Sequence, residues 1–247
     1  MSDSASPIKY SYSGLWSPKH LAWQLRSLGA AQKSLPKSLT TLALSLIRAE
    51  PLDAHAQDAL EGLFWPMILA PGALPYYVVP IQPQWAARLF DSRTAESSLF
   101  ESDSQQLLRV RNVYYCNARV LPKGPARILW YVSKGTGNYP FAGGIAATSI
   151  LDSSLTLSAK QAYSRFRQYG VFKEHHIKEL VRGRSDDRVA VLRFSRTLAL
   201  PSPVPYKKLS AILDAQNISS NNFVSIARLP EAVATRILVE GGLTVES

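Results

Sequence analysis

Arg109-Val-Arg-Asn-Val-Tyr-Tyr-Cys-Asn-Ala-Arg-Val120 is the stretch on which the reading of the fold turns. Valine and tyrosine dominate it and neither glycine nor proline interrupts it, so it is expected to form a β-strand. Side chains alternate across a strand. Val110, Asn112, Tyr114, Cys116, Ala118 and Val120 then share one face, which suits a core. Arg109, Arg111, Val113, Tyr115, Asn117 and Arg119 share the other. That second face suits a polyanion, with the arginines neutralising phosphates and a base stacked on Tyr115 for about 1–3 kcal/mol.

The surroundings reinforce this reading. No acidic residue occurs in the 48 positions between Asp103 and Asp152, a window that also holds Lys123, Arg127, Trp130, Tyr131, Lys134 and Tyr139. Lys123-Gly124 and Lys134-Gly-Thr-Gly-Asn138 read as turns that would present a lysine together with backbone N–H groups to an anion. Lys134-Gly-Thr-Gly lacks the continuation of a phosphate-binding P-loop. The net charge of +10 lies almost wholly beyond residue 72. A nucleic-acid partner, with RNA favoured, follows as the expectation, and the candidate contact residues are Arg109, Arg111, Tyr115, Arg119, Lys123 and Lys134.

Outward from this window the pattern alternates irregularly. Pro75–Ile81 reads as a strand and Gln82-Pro83 opens a helix carrying Trp85, Ala86, Leu89 and Phe90 on one face. Further strands are predicted at about 127–133, 143–151 and 188–196. Ser158 caps a helix ended by Gly170, and a second helix ends at Gly183. Pro201-Ser-Pro-Val-Pro205 reads as a rigid connector before short closing helices at 206–214 and 230–238. Such an order fits an α+β or small-barrel domain and excludes a doubly wound α/β sheet, which needs regular alternation. Before Pro66, Pro71 and Gly72 the chain reads as helical, with helices opening at Pro18, Pro36 and about Ala54. The expected organisation is a flexible tail over 1–13, a helical region over 14–72, and a domain over 73–247 with a C-terminal helical extension.

Composition narrows the function classes. One cysteine, Cys116, allows no internal disulfide and fits a reducing compartment. The most apolar run, 62–72, is too short and too proline-rich to span a bilayer, and the polar N-terminus lacks a signal-peptide core, so the cytoplasm is expected. No cofactor and no metal are expected. His175 and His176 are adjacent, whereas zinc helices space two histidines four apart. Arg26-Ser-Leu-Gly29-Ala-Ala31 fits the loose acetyl-CoA pattern of GNAT enzymes but reads as a helix end rather than the turn after a strand.

Residues about 73–240 resemble the PUA-like superfamily in its ASCH branch. The likeness lies in the order of Pro80-Ile-Gln-Pro-Gln-Trp-Ala-Ala-Arg-Leu-Phe-Asp91, Arg127-Ile-Leu-Trp-Tyr-Val-Ser-Lys134, Gly143-Gly-Ile-Ala-Ala147, Tyr163-Ser-Arg-Phe166 and the proline connector. The resemblance implies a small, partly open β-barrel flanked by helices, here preceded by the helical N-terminal region, of a bacterial type also found attached to GNAT domains. Its implied function is binding of RNA or a modified nucleotide. Some members carry Gly-x-Lys-Thr-x-Glu-x-Arg after the first helix and use it for hydrolysis of nucleosides. Here the matching stretch is Asp91-Ser-Arg-Thr-Ala-Glu-Ser-Ser98, which keeps Thr94 and Glu96 but places Arg93 where the lysine stands. Arginine does not relay protons. Arg93 therefore joins the candidate nucleic-acid contacts, and a binding module is expected rather than an enzyme. A nucleoside- or RNA-processing hydrolase is the alternative. A third reading is an accessory protein that meets an acetyltransferase or toxin-like partner through residues 14–72.

Overall fold

The computed structural model describes residues 14–23, 41, 44, 52–90, 111–117, 121–135, 141–218 and 223–246. The expected tail over 1–13, most of the helix opening at Pro36, the 26–31 pattern and the 91–98 stretch lie outside these residues.

Six strands form one mixed sheet, giving an α+β architecture. In chain order they are β3 (Tyr76–Ile81), β4 (Arg111–Cys116), β5 (Ala126–Val132), β6 (Gly144–Ser158), β7 (Arg188–Pro205) and β8 (Ala227–Leu229). Their spatial order is β4-β7-β6-β5-β3-β8, and only β3 and β5 run parallel. Two shorter strands near the N-terminus, β1 (Leu15–Trp16) and β2 (Ile68–Leu69), join β9 (Val245–Glu246) in a second, parallel sheet of order β2-β1-β9. The sequence reading missed this small sheet and β8, because two or three residues carry no periodicity.

The main sheet is not closed into a barrel: β4 and β8 are its edges. It does curve. The β6–β7 ladder shifts register at Ile145/Ala147, Thr148/Ile150 and Leu151/Ser153, and each irregularity bends and twists the pair. At the end of this curve the Tyr114 hydroxyl on β4 donates to the Pro80 carbonyl on β3, 3.2 Å away, although β7, β6 and β5 lie between the two strands in the sheet.

β5 is buried on both faces, and its alternation separates two cores. Ile128, Trp130 and Val132 pack with α2 (Pro83–Phe90), α3 (Ala159–Phe166) and α4 (Glu174–Val181). Leu129 and Tyr131 pack with α5 (Tyr206–Asp214) and α6 (Glu231–Glu240). Side chains of this size each contribute about 1.5–3 kcal/mol on burial. The one buried ring N–H on this strand, Trp130 Nε1, donates to Ser149 Oγ at 2.8 Å and so is satisfied.

Gly143 and Gly144 show why a glycine pair stands at the start of β6. Gly143 has φ +83°, in the left-handed region, and a Cβ on Gly144 would lie 2.5 Å from the Val204 carbonyl oxygen. The expected connector at 201–205 is instead the end of β7, pairing Pro205 with Gly144 and Val204 with Ile145. Prolines are tolerated there because the strand end needs few ladder donors.

The N-terminal residues are fastened to this sheet through a buried polar network. α1 (Ala54–Leu63) is capped by Asp53, whose carboxylate accepts from the Ala56 N–H at 2.7 Å. Glu61 accepts from Leu69 N–H at 3.0 Å and from Gln57 Nε2 at 2.9 Å, and pairs with Arg127 of β5. Gln57 Oε1 in turn accepts from Leu74 N–H at 2.9 Å. Glu61 and Arg127 are 1% and 0% exposed, so this pair fixes how α1 meets the sheet.

Candidate functional site

Among the described residues of β4, the expected basic and aromatic face is only partly open. Arg111 is exposed, but Val113 and Tyr115 are each 1% exposed. The reason is that α3 and the segment after it cover the strand. The Val113 N–H donates to the Tyr169 carbonyl at 3.0 Å, the Tyr115 hydroxyl reaches the Ala162 carbonyl at 3.4 Å, and the Tyr115 ring meets Phe172 edge-on at 5.1 Å. Tyr115 is therefore a core residue and not an open stacking platform, and burial pushes its hydroxyl pKa up.

Of the other expected contacts, Arg111, Lys123 and Lys134 are among the described residues. Arg127, which shares the acid-free window but was not among those candidates, is taken by Glu61. Lys123 and Lys134 are exposed at opposite ends of β5, a strand of seven residues, which is about 23 Å at strand rise. The Lys134 stem lies against Gly143. Arg111 is paired in register with Ser195, and its charge acts on Asp152. Arg93, Arg109 and Arg119 lie outside the described residues.

What the fold does assemble is a cleft of about 600 Å3 where the curved sheet brings the ends of β3, β5 and β4 together beside α4. Its polar groups come from Gln82, Tyr114, Asn117, Ser133 and Ser225, and its apolar walls from Pro80, Ile81, Leu180, Val224 and Ile226. Cys116 also lines it. No Lys, Arg, Asp or Glu stands among these described lining residues. Two of the polar groups have a set direction. Tyr114, whose pKa is pushed up by burial, stays a neutral phenol and already donates to Pro80. Gln82 accepts from Gln84 Nε2 at 3.1 Å, which leaves its own amide N–H groups as donors. A cleft with hydroxyl and amide groups between apolar walls, and no charge among its described lining residues, suits a planar, uncharged heterocycle.

Sequence reasoning placed Tyr114 in the core and Asn117 on the outward face, and did not single out Gln82 or Ser133. Asn117 carried a usable signal, as the polar residue that ends a buried strand. Ser133 and Gln82 each follow directly on a strand end, Val132 and Ile81, but only the register of β3 with β5 brings them together.

Beside this cleft lies a second hollow of about 670 Å3, lined by Asn117, Thr156, residues 183–186 of the turn that joins α4 to β7, and residues 188–190 at the start of β7. Arg184 and Asp186 form a two-pronged pair there, with Nε to Oδ1 at 2.7 Å and Nη2 to Oδ2 at 3.0 Å. Those hydrogen bonds hold the Asp186 carboxyl below the usual carboxylate range. On α4 itself, the His175 and His176 rings lie 3.9 Å apart, and His176 Nδ1 accepts the Lys173 N–H at 3.0 Å. That bond occupies the ring nitrogen and closes the first turn of the helix.

No family model and no curated protein matches the sequence. Solved structures do match the fold. The ASCH protein of Zymomonas mobilis, in a single-substitution form, aligns with TM-score 0.50 and 13% identity over 67% of this chain and 95% of that one. The same protein without the substitution aligns with TM-score 0.47 and 17% identity over 69% and 98%. Human THYN1, solved with DNA containing 5-methylcytosine, aligns with TM-score 0.37 and 9% identity over 68% and 97%. The sheet and its helices thus share the fold of the Zymomonas mobilis ASCH protein. Among the described residues, no helix is long and apolar enough to cross a membrane.

Proposed function

We propose that this ASCH-type domain is a nucleic-acid-binding module that admits a single base into the cleft between β3, β4 and α4. The observation that carries the reading is the cleft itself: hydroxyl and amide groups of Tyr114, Asn117, Ser133 and Gln82 set between apolar walls, with no charged side chain among the described lining residues. A base has the same character, an apolar face with a neutral rim of donors and acceptors. Ile81 and Leu180 would hold the face, and the amides and hydroxyls would read the rim.

The surrounding charge supports a polymer ligand. The chain carries +10, and Lys134 stands exposed directly after Ser133. RNA is favoured over duplex DNA, because single-stranded segments offer unstacked bases without the cost of flipping one out. In this reading the 73–247 domain carries the function. Its curved sheet acts as the partly open barrel that the resemblance implies, and residues 14–72 brace it through Glu61 and Arg127. The candidate contacts Arg93, Arg109, Arg111, Arg119, Lys123 and Lys134 would serve the strand beyond the base, while Tyr115 has only a packing role.

The test is fluorescence anisotropy with labelled single-stranded RNA and DNA of mixed sequence at low salt. Binding is expected, and Asn117→Leu, which removes the amide from the cleft wall at an exposed position, is expected to weaken it at least tenfold. Absence of binding to either polymer, or unchanged affinity in Asn117→Leu, contradicts the proposal.

A further inference from the structure

The two hollows that meet at Asn117 differ sharply in chemistry. The cleft has no charged lining residue among those described. Its neighbour is lined by Arg184, Asp186 and Arg188, together with Gly183, Ser185 and Thr156. Arg184 spends two of its five N–H groups on Asp186, which fixes the plane of the guanidinium and leaves three N–H groups for another acceptor. Arg188 is exposed and makes no ion pair with the described residues. Asp187, the other acid of this turn, points elsewhere, its carboxylate accepting from the Ala159 N–H at 3.3 Å at the start of α3. The hollow therefore keeps a net positive charge. Arg182, exposed, caps the C-terminus of α4 immediately before Gly183 of the hollow.

A neutral slot opening onto a cationic trough through one shared amide matches the two halves of a nucleotide. We infer that the cleft's ligand is a base still joined to its strand, with the adjoining phosphates lying along the trough on Arg184 and Arg188. This rests on the cleft taking a base of a nucleic-acid strand, and it adds the place where the phosphates of that strand are held. Asn117 would stand at the sugar, between the groups that hold the base and those that hold the phosphates.

Two measurements on the full chain separate this inference from the reading beneath it. Anisotropy with single-stranded RNA as a function of salt reads the phosphate contacts, and calorimetric titration with unmodified and base-modified nucleosides reads the cleft alone. The variant Arg184→Gln/Arg188→Gln changes one exposed and one partly exposed side chain. It is expected to bind RNA more than tenfold more weakly and to lose about 1.4 from the slope of log K against log salt, at roughly 0.7 per phosphate contact. Its nucleoside titration should not change. Asp186→Asn, which removes the negative charge from the trough, is expected to strengthen RNA binding severalfold. If the double variant keeps its RNA affinity and salt slope while nucleosides still bind, the trough holds no phosphate and the inference falls alone. If the native protein binds neither nucleosides nor RNA, the cleft reading falls and takes the inference with it.

Discussion

Arg127 shows how much a single residue's role depends on its partner. It stands in a stretch of sequence with no acid near it, yet it is wholly buried against Glu61, which precedes it by 66 positions. Only one of its guanidinium nitrogens is used: Nε and Nη1 are buried without a hydrogen-bond partner among the described residues. A buried pair compensated on one side gains little over apolar packing, but losing either member strands a charge. Glu61→Ala or Arg127→Ala is therefore expected to destabilise the protein by about 3–5 kcal/mol. The double replacement Glu61→Leu/Arg127→Met should recover most of that loss. Urea denaturation measures both, and a double variant as unstable as the sum of the singles would contradict the account. No spacing rule could have exposed this pairing, because a contact between α1 and β5 is a tertiary fact. Tyr115 misled for a related reason. Alternation correctly separates it from Tyr114, but it does not say that both faces of the strand are covered.

At the scale of elements, the short, strongly patterned pieces were legible. Tyr76–Ile81 is a strand, Pro83 opens a helix, and Ser158 caps α3 with Gln161 returning the bond. Each is set by local chemistry: β-branched runs, a proline at the first helical turn, a capping box. Element lengths were less legible. β6 and β7 run well past the predicted ends, because pairing with each other sustains strand in Leu151–Ser158 and Thr197–Pro205, where composition alone reads as loop. α4 carries a testable pH dependence. Partial burial, then the charges of His175 and Arg88, holds the His176 pKa below the ordinary histidine value. The unfolded chain thus takes up a proton at about pH 6.5 that the folded chain still resists. Stability is full above that pH and is lost as pH falls through the lowered pKa, with the Lys173 N–H to Nδ1 bond going too. Thermal melts between pH 7.5 and 5 should show a decline that His176→Gln flattens. Parallel declines in the two proteins would contradict this.

Across the whole molecule, the sequence carried the class of fold and the sign of the charge but not the place where they meet. The excess of cations beyond residue 72 is plain in the chain. The cleft is not, because it is built by curvature: three register shifts in β6–β7 carry β4 round until Tyr114 touches Pro80, and only then do Gln82, Ser133 and Asn117 face one space. Cys116, the chain's single cysteine, lines that space and reports on it directly. Its rate of alkylation by iodoacetamide, followed by intact mass with and without saturating single-stranded RNA, is the most direct test of the central claim. Bound RNA is expected to slow alkylation of Cys116 at least severalfold, and Asn117→Leu to abolish the protection. An alkylation rate untouched by RNA that anisotropy shows to be bound would place the nucleic acid elsewhere on the protein and contradict the account.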